Sequence, residues 1–139
     1  MKIIALDYGQ AHTGVAICDP TGTIVRPLDD IDDASGKAGL KKIVDLARDE
    51  VVEAVLVGMP VSLSGECGLQ AGESMDFIRV LEEALELPVI SWDERFTSKM
   101  AGRKGHNTSS SRHSLAACVL LEDFLGSEAY RRMNDVDPE

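Results

Sequence analysis

The chain has 139 residues and a mass of 15.0 kDa, enough for one domain that buries roughly 68% of the surface its unfolded form would expose. Its three cysteines, Cys18, Cys67 and Cys118, lie far apart without a C-x-x-C pair, which argues against a disulfide framework or a cysteine zinc site and fits a reducing compartment. The net charge of −10 weighs against nucleic acid as a partner, because that polymer is held largely through neutralised phosphates.

The charge is unevenly spread. Residues 95–121 contain no acid but hold Arg95, Lys99, Arg103, Lys104 and Arg112. Screening confines surface fields to about 8 Å at physiological salt, so this local basic face can act within a negative total. The first residues run straight into a strand-like segment without a signal-peptide pattern. The longest apolar stretch, Leu115 to Leu121, is far short of the roughly 20 residues of a membrane span. A soluble cytoplasmic protein with no membrane partner is expected.

In chain order, Lys2 to Leu6 reads as a buried strand. Thr13 to Cys18 reads as a second, joined to it as a hairpin by a glycine-bearing turn. Pro20-Thr21-Gly22-Thr23 marks the next turn, and Ile24 to Leu28 supplies a third strand. The acidic stretch Asp29 to Asp33 lacks the glycine and distal glutamate of a calcium loop and is read as helix-start chemistry and solvated charge. Leu40, Ile43, Val44 and Ala47 share one face of a helix. Val52 to Val57 is a central strand stopped by Gly58-Met59-Pro60.

A loop follows, and then Gln70 to Glu86 forms an amphipathic helix that ends before Pro88. Val89 to Trp92 is another strand. Thr97 caps a brief helix to about Gly102, Lys104 to Ser111 is polar and mobile, and a last helix runs from about Ser111 to Leu125. Residues from Gly126 onward read as a fraying tail. A hairpin meander followed by strand, helix and strand units predicts an α/β fold with a mixed sheet flanked by helices. Sites in such sheets sit beyond the carboxyl ends of the parallel strands.

Two apolar runs end in acids at such positions. Asp7 closes Ile3-Ile4-Ala5-Leu6, and Asp93-Glu94 closes Val89-Ile90-Ser91-Trp92. Carboxylates brought about 4 Å apart repel by roughly 4 kcal/mol at an effective dielectric near 20, which a shared proton, an arginine or a divalent metal relieves. The segment Asp7-Tyr8-Gly9-Gln10-Ala11-His12-Thr13-Gly14-Val15-Ala16 has the pattern D-x-G-x-x-x-x-G-V-A. Its glycines are expected to leave room beside the carboxylate for a phosphate or metal. Ser114 lacks a G-x-S-x-G setting and the cysteines lack an activating partner, so serine or thiol hydrolysis is not expected.

Together, DYGQAHTGVAICDP, VLVGMPVSLSGECGLQA, PVISWDERFTS and HSLAACVLLEDFL resemble the YqgF/RuvX family, whose members are described as Holliday-junction-resolvase-like proteins and as pre-16S rRNA nucleases. The resemblance covers about residues 1–125. It implies a single ribonuclease-H-like domain over those residues, with a five-stranded mixed sheet and a C-terminal tail at 126–139. It further implies a cytoplasmic, metal-dependent nuclease acting on structured nucleic acid, most often in ribosomal RNA maturation, with branched DNA as the other substrate class.

Carried over by motif, Asp7 matches the family's first-strand acid and Glu94 its second. The third acid, which opens the last helix, is replaced here by His113 in His113-Ser114-Leu115-Ala116-Ala117. Asp7, Glu94 and His113 are thus the expected catalytic and metal-holding residues, for Mg2+ or Mn2+. The histidine favours manganese, because imidazole suits borderline metals better than it suits magnesium. Gly9, His12, Arg95, Lys104 and Arg112 are expected to meet the nucleic acid, with Arg95 equally a partner for Asp93 or Glu94. A monomer or homodimer is expected. The alternatives are a nucleic-acid-binding or ribosome-assembly module that keeps the scaffold without turnover, and an ATP-dependent phosphotransferase, for whose second domain the chain has no room.

Overall fold

The computed structural model describes residues 1–9, 11–59, 69–93 and 112–134. Its first strand, β1 (Ile3–Asp7), pairs antiparallel with β2 (His12–Cys18), which pairs antiparallel with β3 (Val25–Asp32). On its other side β1 lies parallel to β4 (Ala54–Met59), and β4 lies parallel to β5 (Val89–Asp93). The sheet order is β3-β2-β1-β4-β5, the mixed five-stranded sheet expected. Among the described residues the helices are α1 (Lys37–Asp49), α2 (Leu69–Ala84), α3 (Arg112–Leu125) and α4 (Glu128–Asn134).

The central strands are apolar at successive positions because helices cover both sides of the sheet. On one face Ile4, Leu6, Val15, Ile17, Val55 and Val57 pack with Ile43 and Ala47 of α1 and Phe77 and Leu81 of α2. On the other, Ile3, Ala5, Ala16, Cys18, Ala54 and Leu56 meet Ala117, Leu120, Leu121 and Phe124 of α3. Each fully buried leucine, isoleucine or phenylalanine contributes about 1.5–3 kcal/mol of transfer free energy. Small residues on the second face let α3 lie close against β1 and β2. Trp92 of β5 joins that face, its ring edge-on to Phe124 at 5.1 Å and its Nε1–H donating to Asp123 at 2.8 Å.

Two expectations are corrected. The acidic stretch after Leu28 does not start a helix: β3 continues through it to Asp32, and α1 begins only at Lys37. Val15 pairs with Leu28 and Thr13 with Ile31, so three steps along β3 match two along β2. That bulge breaks the two-residue alternation while still returning Ile31 to the core. Acids are acceptable there because β3 is an edge strand, where charge also discourages unwanted pairing. The expected fraying tail carries α4, whose Tyr130 is 7% exposed and packs against Phe124 at 5.8 Å.

The turn from β2 to β3 is built on Asp19. Its carboxylate accepts the Thr21 hydroxyl and the Thr23 and Ile24 amides, and these bonds hold its carboxyl well below the usual carboxylate range. At the same end of the sheet α1 closes with the Val51 amide donating to the Arg48 carbonyl and the Val52 amide to the Ala47 carbonyl. This paired closure places Val51 in the left-handed region at φ 53 with its side chain 76% exposed, a position that favours glycine. The expected short helix near Thr97 and the polar stretch at 104–111 lie outside the described residues.

Candidate active site

β1 delivers Asp7 to the carboxyl end of the sheet, half-buried. Residues on β1 alternate between faces, so Asp7 shares the α3 side with Ile3 and Ala5. Directly opposite, across about 5 Å of ladder, stands Gly14. A methyl group at Gly14 would lie 1.9 Å from the His113 carbonyl oxygen and 2.6 Å from the Ser114 nitrogen. The space at the Cβ position of Gly14 is therefore filled by the first turn of α3. Gly14 is small so that the helix carrying His113 can sit on the hairpin carrying Asp7.

Ser114 fastens this seat. It is fully buried, accepts the Val15 amide at 3.0 Å and donates to Asp30 at 3.2 Å. The bulge in β3 brings Asp30 to this position. His12, at the start of β2, pairs with Asp32 across the ladder, and its Nδ1 lies 2.7 Å from the Asp32 carboxylate. The His12 ring also faces that of His113, with centroids 5.6 Å apart and planes inclined by 34°. Both histidines are exposed, as is Arg112 at the head of the same helix.

Of the expected site residues, the structure brings Asp7, His113, His12 and Arg112 to one end of the β1–β2–α3 unit. Gly9 lies in the turn from β1 to β2, where a methyl group would lie 2.5 Å from the His12 carbonyl oxygen. Glu94, Arg95 and Lys104 lie outside the described residues, although β5 leads to Glu94, with Asp93 opposite Met59 of β4. Sequence reasoning missed Asp30, Asp32 and Ser114. Only a strand reading of the acidic stretch, which the bulge obscures, would have found the two aspartates.

Among the described residues no three His, Cys, Asp and Glu side chains converge tightly enough to hold a metal ion. Asp7, His12 and His113 stand at the same end of the β1–β2–α3 unit without forming such a group. The two described cysteines, Cys18 and Cys118, are buried away from this cluster, and burial pushes the Cys18 thiol up. Among the described residues no helix is long and apolar enough to cross a membrane.

A family model described as RuvX, Holliday junction resolvase, matches residues 1–127. A protein of Bacillus licheniformis named "Putative pre-16S rRNA nuclease" is 32% identical over 136 residues, covering 91% of this chain and 98% of that protein. A protein of Rubrobacter xylanophilus with the same name is 37% identical over 131 residues, covering 89% and 91%. Among solved structures, T. thermophilus RuvC in complex with a Holliday junction substrate superposes with a TM-score of 0.60 at 18% identity, covering 96% of each chain. That likeness extends to the fold, a ribonuclease-H-like resolvase architecture. From the match along nearly its whole length, the chain belongs to the RuvX Holliday junction resolvase family.

Proposed function

We propose that this protein is a metal-dependent nuclease that hydrolyses phosphodiester bonds in structured nucleic acid, with precursor 16S ribosomal RNA as its substrate in the cytoplasm. The observation that carries the proposal is the seating of α3 on Gly14, opposite Asp7. Folding alone thereby holds two of the three motif-matched residues at one sheet end, on a chain whose relatives are named for that RNA.

Asp7, Glu94 and His113 are the residues that would hold Mg2+ or Mn2+. When bound, the ion supplies charge neutralisation at the scissile phosphate and lowers the cost of deprotonating the attacking water. Asp7 provides the hard oxygen ligand from a rigid strand. His113 provides a nitrogen whose position is set by backbone packing and by the Ser114 hydrogen bonds. Arg112, one residue before it, offers a phosphate contact, and Arg95 and Lys104 belong to the same acid-free stretch of sequence. No side chain acts as a covalent nucleophile.

Branched DNA is the second substrate reading, favoured by the description of the family model. The test is cleavage of pre-16S leader fragments and four-way DNA junctions by the purified full chain in Mn2+ or Mg2+. RNA cleavage that disappears in Asp7→Asn while the melting curve is retained is the expected result. Equal cleavage by that variant would defeat the assignment of Asp7. Binding without product in either metal would leave a non-catalytic nucleic-acid-binding module.

A further inference from the structure

We infer that the furrow between the carboxyl ends of α1 and α2 is the face through which two copies of this chain associate about a two-fold axis, with Val51 of each copy set into the furrow of the other.

Val51 is the most exposed large apolar side chain among the described residues, at 76%, and its backbone stands at φ 53, where a β-branched residue is strained. Within one copy the side chain therefore costs stability and buries little. Beside it lies a hollow of about 480 Å³ whose apolar lining includes Val44, Ala47, Leu85 and Leu87. The hollow shares Val44, Arg48 and Ala84 with a second depression that reaches Leu40 along α1. A projecting apolar side chain and an apolar hollow thus belong to one patch. A two-fold axis through that patch satisfies both at once, because in such a contact residue i meets j and j meets i.

Charge selects the occupant. The furrow carries Arg48 on its α1 side and Glu83 and Glu86 on its α2 side, all exposed. The pair that Arg48 makes with Asp45 is long, at 3.8 Å, and open to solvent. A net charge of −10 makes most of this surface repel another copy of itself. Here the two-fold brings Arg48 of each copy toward Glu83 and Glu86 of the other, so the rims attract. A purely acidic partner would meet the two glutamates and a purely basic one the arginine, whereas a surface holding the same charges in reverse order meets neither conflict. Val52 leads into β4 and Leu87 into β5, so the furrow lies at the amino ends of the parallel strands. Pairing there leaves both Asp7 ends open, and the inference does not depend on what those ends do.

The experiment is sedimentation of the full chain from low micromolar to several hundred micromolar, with circular dichroism to check each fold. The wild-type chain should show a reversible monomer–dimer equilibrium. Each dimer buries two copies of Val51, so Val51→Asp and Val51→Gly should each weaken association by at least about 100-fold. Val51→Gly also removes the strained side chain, so its monomer should melt no lower than wild type when both are dilute. Loss of the dimer without loss of stability cannot come from unfolding. Arg48→Glu alone should likewise dissociate the dimer, and combining it with Glu83→Arg and Glu86→Arg should restore it.

Met75, 49% exposed toward the other end of α2, gives the control. Met75→Gln should leave the dimer unchanged, and an equal loss there would mean general stickiness and overturn the inference. A wild-type chain that stays monomeric throughout would overturn it, whatever other partner the furrow then takes. A dimer that survives Val51→Asp with wild-type affinity would place the association on another face and overturn it as well.

Discussion

Substituting Gly14 by alanine tests how the site is held together. The added methyl would meet the His113 carbonyl oxygen at 1.9 Å and its carbon at 2.1 Å. Both are backbone atoms, so no flexible side chain can swing away. To restore an ordinary 3.4 Å contact the first turn of α3 must retreat by about 1.5 Å, or β2 must buckle, and overpacking of this kind costs about 1–3 kcal/mol or more.

The same retreat stretches the 3.0 Å bond from the Val15 amide to Ser114, and a buried amide left unpaired costs about 1–3 kcal/mol. A combined loss of about 2–6 kcal/mol lowers the melting temperature of a domain this size by about 6–24 °C. Displacement of a positioned group by about 1 Å costs about 100-fold in rate, so metal-dependent cleavage should fall further than stability does. Urea and thermal unfolding followed by circular dichroism, with single-turnover cleavage below the melting point, measure both effects. Gly72→Ala is the control: nothing lies within 4 Å of the added methyl, and alanine inside α2 should raise stability by about 0.5–1 kcal/mol. Wild-type melting and cleavage in Gly14→Ala would refute the claim that this contact seats α3.

Three further outcomes follow from the packing. Ser114→Ala removes the acceptor of the Val15 amide and should cost about 1–3 kcal/mol in urea unfolding, with little change in the denaturant slope. Val51→Gly relieves a β-branched residue held at φ 53. The left-handed conformation costs about 1–2 kcal/mol for a residue with a side chain, so the midpoint should rise after allowing for the greater freedom of glycine in the unfolded chain, and an unchanged or lower midpoint would argue against strain there. Tyr130→Ala deletes a nearly buried ring edge-on to Phe124 and should destabilise by about 3 kcal/mol. A neutral result would return α4 to the status of a frayed end.

Much of this architecture was legible because burial leaves a plain mark. Runs such as Ile3-Ile4-Ala5-Leu6 and Val55-Leu56-Val57 are covered on both faces, and a charge closing such a run, Asp7, marked where β1 ends. The edge strand was less legible. β3 is covered less completely, tolerates acids, and loses its alternation at the bulge, so its second half read as solvated charge. Tyr130 was missed because a single ring on a seven-residue helix carries no periodic signal. The partnership of His12 with Asp32 joins residues 20 apart in the chain, and no local pattern encodes it. The motif glycines were recognised, but their purpose was not. Gly14 makes space for the chain's own helix, a long-range contact invisible until the helix is in place.

The contact between Val15 and Ser114 joins residues 99 positions apart, with β1 and β2 among the first elements made and α3 near the last. During translation the hairpin leaves the ribosome long before its partner helix exists. Asp7 therefore waits, without His113 beside it, until almost the entire polypeptide has been synthesised. The order of synthesis thus sets the order of assembly: the seat at Gly14 is made early and the turn that fills it arrives late.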